Sequence, residues 1–418
     1  PILGGYIADK IIGYRNAVVV GALLMTLGHA CMAFDTHFAL YLGLFFLITG
    51  NGFFKPTMTS IISQMYENHE HKKDGAYTIY YMGVNAGAFL GILLCGYLGE
   101  QWGWHWGFGL AGIFMFAGML QFYFAQNIFG DVGKKPATSD QVKAYVDSSI
   151  KQNPFLKIDK VFIAISALIG LVWIINDPMS KIGGIDVFNF DIGPLSGSNF
   201  MIFLALAIFV VLLVSRIVRY TPIIRDRMIA VAIFAFFTIF FWAAFEQAGG
   251  SMTIFANDYT DRVLEGSAGN IFRIANTLIT IIPLGVITWV LWMLFKQTFA
   301  KYRLANIILG TSFLIIWALV LTMLYEQYTA ESPEVPASWF SVLNSLFIII
   351  FAPLFSKLWE SKYNPSVAVK YGVGLILLGV GFAALAYGAS DIPQGAKVAA
   401  VSIVWLILAY FFHTMGEI

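Results

Sequence analysis

The sequence predicts an all-α protein that crosses a membrane many times. Of its 418 residues, 59% are hydrophobic and only 12% are charged, whereas a soluble domain carries about 25% charged residues. Apolar runs of about 20 residues, long enough to cross ~30 Å of hydrocarbon as helices, recur along the whole chain. The alternation of apolar and polar residues that is typical of a membrane β-barrel is absent, so helices are the predicted elements.

Turn residues and short polar segments divide the apolar runs into successive helices. The chain opens with a helix end at 1–8, and a polar stretch at 129–158 separates the fourth full span from the fifth. The predicted spans are 16–34, 38–65, 75–99, 106–128, 159–176, 199–218, 226–257, 270–295, 304–325, 337–359, 368–388 and 398–418. Proline-containing turns are predicted at Asn176-Asp177-Pro178, Thr221-Pro222, Ser332-Pro333 and Asn364-Pro365.

Lysine and arginine residues between the spans orient the predicted helices. Twenty of them fall on one side of the membrane and four on the other, namely Lys181, Arg262, Arg273 and Lys397. The positive-inside rule assigns the cation-rich side to the cytoplasm. A net charge of +1 gives no reason to expect a nucleic-acid partner.

Lys55 is the only charged residue in the apolar core of the second full span. A charge at this depth costs about 2.5–3.5 kcal/mol on insertion scales, so it usually faces a cavity or a partner. Lys55 lies roughly 18 Å from the cytoplasmic end of its helix at 1.5 Å per residue. A cation that holds a carboxylate in a central cavity is the functional interpretation, and a structural ion pair between helices is the alternative.

Glu246 lies in a later span, again as the only charge of its apolar core. Burial favours the protonated form of a carboxyl group, so Glu246 could bind and release a proton near neutral pH, as a proton-coupled carrier requires. A permanently paired, structural glutamate is the alternative. Two isolated charges of opposite sign on separate helices indicate a polar pathway through the membrane.

Amides within apolar helices are further candidates for substrate contact. Asn85 and Asn344 each offer a donor and an acceptor, although hydrogen bonding between helices would explain them equally well. Glu417 follows in a late apolar run, at a depth that the sequence leaves open. No nucleophile–base motif and no zinc motif is found, so the chain is predicted to be neither an enzyme nor a metalloprotein.

Several of these stretches resemble the proton-dependent oligopeptide transporters of the major facilitator superfamily. The run from Tyr77 to Phe89, Tyr-Thr-Ile-Tyr-Tyr-Met-Gly-Val-Asn-Ala-Gly-Ala-Phe, is similar to the signature of that family's fifth helix. Gly4-Gly5-Tyr6-Ile7-Ala8-Asp9, followed by Gly13 and Arg15, resembles the family's loop motif after the second helix. The elements Phe54-Lys55-Pro56, Trp242 to Gln247 and His413 to Glu417 resemble family elements too.

The resemblance implies two helical bundles with an extra helix pair between them. The sequence departs from the family pattern in its second half, where an apolar hairpin replaces the short outer loop between the seventh and eighth helices. The implied domains are a partial N-terminal bundle at 1–130, a linker with the extra transmembrane hairpin at 131–220, and a partial C-terminal bundle at 221–418. The inserted hairpin occupies 265–328, with its two spans at 270–325. The chain is interpreted as an interior fragment that lacks the first, eleventh and twelfth helices of the family.

The resemblance also implies roles for the candidate residues. Lys55 would bind the carboxylate of a peptide, Glu417 its amino group, and Asn85 and Asn344 its backbone and amino end. Trp242 would be a further substrate-binding residue.

Two further groups of residues receive roles from the resemblance. Glu246 would belong to the proton-linked gate together with Lys55. Gly5, Asp9, Gly13 and Arg15 would form the loop motif, with no metal at any of these positions.

The function that the resemblance implies is proton-coupled symport of di- and tripeptides by alternating access. The expected setting is the lipid bilayer of a bacterial inner (cytoplasmic) membrane, with the carrier a monomer, protons the coupling ion and no other cofactor. A carrier of the same family for another solute, such as nitrate or a drug-like amine, is the main alternative. A membrane-embedded enzyme is the more distant one.

Overall fold

The computed structural model describes residues 2–134 and 153–418. Within these residues, eleven helices are long and apolar enough to cross a membrane, which confirms the predicted all-α, multi-pass architecture. The described chain falls into two compact units. The first unit contains 2–35, 42–134 and 241–418, and the second contains 36–41 and 153–240.

The first third of the chain forms five helices. They are α1 (Ile2–Ile7), α2 (Tyr14–Met32), α3 (His37–Met65), α4 (Glu70–Gln101) and α5 (Trp104–Ala125). A π-helical turn over Ala8–Ile12 extends α1, so the helix end predicted at 1–8 reaches Ile12 instead. The turn before α2 is made by Gly13, whose φ of 77° is one that glycine adopts without strain.

The second unit contains the predicted extra helix pair, α6 (Lys157–Gly183) and α7 (Gly197–Val218). Between them, β1 (Asp191–Ile192) pairs antiparallel with β2 (Leu195–Ser196). Part of the predicted linker, including Lys135, Lys143 and Lys151, lies outside the described residues.

The turn predicted at residues 176–178 is wrong. Pro178 lies inside α6, and the helix continues to Gly183, after which Gly184 is left-handed with φ 66°. The amide of Asn176 explains the error, because it does not start a turn. Instead it donates to Asp186 at 2.9 Å and accepts from the Val187 N–H at 2.7 Å.

Seven further helices complete the chain. They are α8 (Pro222–Phe245), α9 (Ser251–Asp258), α10 (Gly266–Thr298), α11 (Arg303–Thr329), α12 (Val342–Trp359), α13 (Val367–Gly388) and α14 (Ile403–Glu417). β3 (Thr260–Asp261) pairs in parallel with β4 (Val401–Ser402). This pairing keeps the backbone extended up to Ser402, so the span predicted at 398–418 begins at Ile403.

The span predicted at 226–257 is interrupted where its glutamate lies. A 3-10 turn over Glu246–Gly249 separates α8 from α9, and Gly249-Gly250 lacks the side chains that favour an uninterrupted helix. The inserted hairpin, in contrast, forms as two long helices, α10 and α11, as predicted.

The principal apolar core joins α4 to the second half of the chain within the first unit. Phe89 of α4 is 1% exposed, and Leu284 of α10 together with Val320 and Met323 of α11 are fully buried in the same cluster. The inserted pair α10–α11 is therefore packed into the core.

Glycines allow neighbouring helices to approach closely. A Cβ on Gly21 of α2 would lie 2.8 Å from the carbonyl oxygen of Gly50 in α3, and one on Gly28 would lie 2.9 Å from that of Gly43. The same device recurs in the second half, where a Cβ on Gly374 of α13 would lie 2.5 Å from the carbonyl oxygen of Gly416. Small residues at such crossings are typical of membrane helix packing. The contact between Gly374 and Gly416 lies at the end of α14.

Candidate functional site

A hydrogen-bonded pair of polar side chains lies at the end of α14. The Nδ2 group of Asn344 on α12 donates to the Glu417 carboxylate at 2.8 Å and to the Thr414 hydroxyl at 3.2 Å. Asn344 and Glu417 are both half-buried. The structure therefore brings together two residues that the sequence proposed separately.

Glu417 lines a cavity of about 430 Å³. Tyr81 of α4 forms one wall, while Phe355 and Trp359 of α12 and Glu360 beyond it form another. Aromatic walls with carboxylates suit a cationic amino group, which such groups attract electrostatically. Tyr81 and Trp359 were not singled out from the sequence, although Tyr81 lies within the fifth-helix signature.

Asn85 lies one helical turn beyond Tyr81 and is only 7% exposed. Its Nδ2 group donates to the Tyr81 carbonyl oxygen at 3.0 Å, within the same helix. The amide nitrogen is thus used by α4 itself, and it is not among the residues that line the cavity beside Glu417. Asn85 contributes to this region of α4 without a hydrogen bond to Asn344 or Glu417 among the described residues.

Glu246 is exposed and stands at the point where α8 ends. Its carboxylate is close enough to Glu417 for the two charges to interact, and no ion pair to it is found within the described residues. The alternative of a permanently paired Glu246 therefore receives no support in the described part of the chain. Trp242, one turn earlier, is 46% exposed and packs its ring against Phe245 at 5.5 Å.

Lys55 is exposed on α3, and the helix continues past the neighbouring Pro56. The Thr57 hydroxyl donates to the carbonyl oxygens of Phe53 and Phe54 at 2.7 and 2.9 Å, which helps to hold the backbone around the proline. No ion pair or hydrogen bond to the Lys55 ammonium is found in the part of the chain that the structure describes. The alternative of a structural ion pair thus receives no support there.

The loop motif has a structural role that its residues explain. Arg15 is 3% exposed, and its guanidinium donates to the carbonyl oxygens of Val132 at 2.6 Å and Gly130 at 2.7 Å. A Cβ on Gly13 would lie 2.8 Å from the carbonyl oxygen of Lys134. Gly5 is half-buried, with its Cβ position 3.9 Å from Pro56, and Asp9 lies in the π-helical turn.

A second polar cluster lies on the cation-poor side, where α4 ends. The Glu100 carboxylate accepts hydrogen bonds from the backbone N–H groups of Ala337 and Ser338, both at 2.8 Å. Arg262 donates to Glu334 at 2.8 Å and lies 4.0 Å from Glu100. These contacts join the end of α4 to the segment before α12, and the same residues line a cavity of about 740 Å³ on this side. The scarcity of cations on this side was the signal that could have identified Arg262.

Two further hydrogen bonds join α4 to its neighbours in the second half of the chain. The Tyr97 hydroxyl of α4 donates to Glu326 of α11, and the Trp339 indole donates to the Leu93 carbonyl oxygen at 3.0 Å. The inserted pair α10–α11 therefore contributes to the contacts on the cation-poor side.

The sequence model of the POT family matches residues 15–324 and 276–418, which together include almost the whole chain. The chain belongs to the POT family. The two matched segments of this POT-family protein overlap at 276–324, inside the inserted pair α10–α11. A family of transporters confirms the prediction that the chain is not an enzyme.

Relatives of this POT-family protein include named peptide transporters. "Peptide transporter YePEPT" of Yersinia enterocolitica is 27% identical over 425 residues, covering 99% of this chain and 67% of the relative. A "Di-/tripeptide transporter" of Lactococcus lactis subsp. cremoris is 24% identical, covering 100% of this chain and 68% of the relative. The chain thus spans about two thirds of the length of these relatives.

Solved POT structures share the fold. A peptide transporter POT in complex with sulfate matches with a TM-score of 0.64 at 23% identity, over 100% of this chain and 68% of that one. A POT family transporter in complex with 5-aminolevulinic acid matches with a TM-score of 0.65 at 22% identity, over 100% and 69%. The predicted superfamily architecture is confirmed.

Proposed function

We propose that this POT-family protein is a symporter that couples the entry of di- and tripeptides to protons by alternating access. The proposal rests on two opposite charges, those of Glu417 and Lys55, which lie in apolar helices and do not form an ion pair with each other. Glu417 is hydrogen-bonded to a neutral amide in an aromatic-walled cavity, while Lys55 has no ion-pair partner among the described residues. A zwitterionic peptide supplies a carboxylate for Lys55 and an amino group for Glu417.

The contacts on the cation-poor side and the cavity beside Glu417 fit one state of such a cycle. Glu100, Arg262 and Tyr97 hold the cation-poor side together, whereas the cavity beside Glu417 lies among residues near the cation-rich ends of α4 and α12. With the cation-rich side cytoplasmic, the cavity beside Glu417 lies towards the cytoplasm and the contacts of Glu100 and Arg262 lie towards the outside. The carrier acts in the inner membrane of a bacterium as a monomer, with protons as coupling ion and no other cofactor.

Glu246 is the group that we assign to proton coupling. It stands at the break between α8 and α9 and interacts electrostatically with Glu417. Two carboxylates in one region repel each other when both are ionised. Binding of a peptide amino group at Glu417 would relieve this repulsion, and so proton binding and substrate binding would be linked.

Uptake of labelled dialanine into proteoliposomes that contain the intact protein, with and without an inward proton gradient, tests the proposal. We expect accumulation only with the gradient. A potential of 100 mV supplies roughly 2.3 kcal/mol per proton, or about a 50-fold concentration ratio. Accumulation of nitrate or an amine drug instead of dialanine would favour the carrier for another solute.

A further inference from the structure

A second, larger cavity lies between the inserted pair α10–α11 and helices α4 and α5. Its volume is about 760 Å³, and it shares no lining residue with the cavity beside Glu417. Its wall includes Gly83 and Gly87 of α4, Gly118 of α5, Val286 of α10 and Ile308 of α11. No charged residue lines it, so it does not suit a peptide or an ion.

The cavity is accessible from outside the protein. Met82 on α4 is 53% exposed, and Val286 and Val290 on α10 are 54% and 47% exposed. In a membrane-spanning segment, hydrocarbon contacts such surfaces. The atoms that line an apolar space gain dispersion contacts when another apolar group fills it. A flexible hydrocarbon chain is therefore a suitable occupant.

Three exposed cations lie just beyond the cavity on the cation-rich side. Lys296 follows the lining residue Leu291 by five positions, Arg303 precedes the lining residue Ile308 by five, and Lys301 lies between the two helices. Each helix rises 1.5 Å per residue, which puts Lys296 and Arg303 about 7–8 Å beyond the cavity wall. No ion pair is found for any of the three within the described residues.

Trp292 marks the membrane interface at this level. The Lys296 ammonium lies 3.4 Å from the centre of the Trp292 ring, and tryptophan is typical of the level of the lipid headgroups. Anionic lipids of the cytoplasmic leaflet attract lysine and arginine at this depth. The arrangement thus combines an apolar cavity with a cationic rim.

We propose that this cavity binds an anionic diacyl phospholipid of the cytoplasmic leaflet. One acyl chain occupies the space between α4, α5, α10 and α11, and the headgroup phosphate contacts Lys296, Lys301 and Arg303. The inserted pair α10–α11 supplies both the second wall of the cavity and the cations. Lipid binding of this kind does not depend on which solute the carrier transports.

Photocrosslinking of the intact protein in phosphatidylcholine vesicles tests the proposal. The probes are phosphatidylglycerol and phosphatidylcholine, each carrying a diazirine in one acyl chain and added in trace amounts. We expect phosphatidylglycerol to label peptides of α4, α5, α10 and α11 at least about tenfold more than phosphatidylcholine does. Equal labelling by the two probes would overturn the proposal, as would crosslinks between two copies of the chain in place of lipid labelling.

Two matched pairs of variants separate the acyl chain from the headgroup. Gly118→Leu fills the cavity from α5, whereas Gly109→Leu lies on the same helix outside the lining, and a Cβ meets nothing within 4 Å at either glycine. Only Gly118→Leu should reduce labelling. The combined variant Lys296→Gln, Lys301→Gln and Arg303→Gln should remove the preference for phosphatidylglycerol, while Lys357→Gln, Lys362→Gln and Lys370→Gln together should retain it. An unchanged signal in Gly118→Leu would contradict the assigned site.

Discussion

At the scale of single residues, substitution of Lys55 should affect transport but not stability. Its ammonium is exposed and has no ion-pair partner among the described residues, so Lys55→Ala leaves no partner charge unpaired. We expect the free energy of unfolding to change by less than about 0.5 kcal/mol, while proton-driven uptake of dialanine is abolished. Thermal unfolding in detergent and uptake into proteoliposomes measure the two quantities. The loop variant Lys362→Ala should change neither, and uptake by Lys55→Ala would remove the assigned role.

Glu417 differs from Lys55 because it already has a partner. In Glu417→Gln, the new amide oxygen can still accept the hydrogen bond from Asn344, so the local packing should be kept. The variant loses the negative charge that would bind the amino group of the peptide. A hydrogen bond to a charged group contributes about 1.5–3 kcal/mol. We expect the KM for dialanine to rise roughly 10- to 100-fold. An unchanged KM would argue against contact between Glu417 and the substrate, and Glu331→Gln in the loop after α11 is the control.

Glu246 should affect coupling more than substrate exchange. Glu246→Gln is permanently neutral, so it mimics the protonated carrier and removes the repulsion from Glu417. Exchange of labelled for unlabelled dialanine across the membrane should be spared, whereas accumulation driven by a proton gradient should fall to the level without a gradient. The pH dependence of accumulation should flatten too. If accumulation in the variant still follows the proton gradient, another group carries the proton.

At the scale of elements, the contacts on the cation-poor side depend on how α4 meets the segment before α12. The side chain of Glu100 is 18% exposed and accepts two backbone hydrogen bonds, whereas that of Glu334 is 47% exposed and pairs with Arg262. Removing a partner from backbone donors costs about 1–3 kcal/mol, while an exposed ion pair contributes under about 1 kcal/mol. Glu100→Ala should therefore lower the free energy of unfolding more than Glu334→Ala, as measured by denaturant titration. Equal losses would show that the hydrogen bonds of Glu100 add no stability.

The elements also show which structural features a sequence pattern can predict. Apolar runs of membrane length predicted each long helix, because the bilayer requires internally hydrogen-bonded segments of that length. The errors lie where side-chain contacts decide the backbone. At Pro178 a helix continues because Asn176 bonds elsewhere, and before Ile403 the chain stays extended because β4 pairs with β3 from a distant part of the sequence.

The candidate site was predictable in its residues but not in its pairing. The isolated charges Lys55 and Glu246 were evident because charge is rare in apolar runs. The hydrogen bond between Asn344 and Glu417 joins α12 to α14, and the cavity wall at Tyr81 comes from α4. Such contacts depend on helix packing through close glycine crossings, such as Gly374 against Gly416, and spacing along the chain does not encode them.

At the scale of the whole molecule, the inserted pair α10–α11 packs into the core but joins the rest of the chain at two neighbouring points. The residues on either side of it are already neighbours, because the Leu264 N–H donates to the Pro333 carbonyl oxygen at 3.0 Å and the Val335 N–H donates to that of Arg262 at 3.0 Å. Removal of 265–328 therefore leaves ends that the four remaining residues up to Pro333 can connect. In a bilayer, lipid chains can replace the apolar contacts that α4 loses.

We expect the deletion of 265–328 to leave a folded carrier with reduced uptake and a lowered unfolding temperature. The specific loss is the hydrogen bond from Tyr97 to Glu326, which leaves the Tyr97 hydroxyl facing hydrocarbon without a partner at a cost of about 1–3 kcal/mol. Tyr97→Phe removes that hydroxyl, so it should destabilise the full-length protein but raise the unfolding temperature in the deletion background. Thermal unfolding of the four proteins in lipid nanodiscs measures this reversal of sign. A deletion variant that fails to fold, with or without Tyr97→Phe, would show that α10 and α11 are needed to build the core around Phe89 and are not an addition to it.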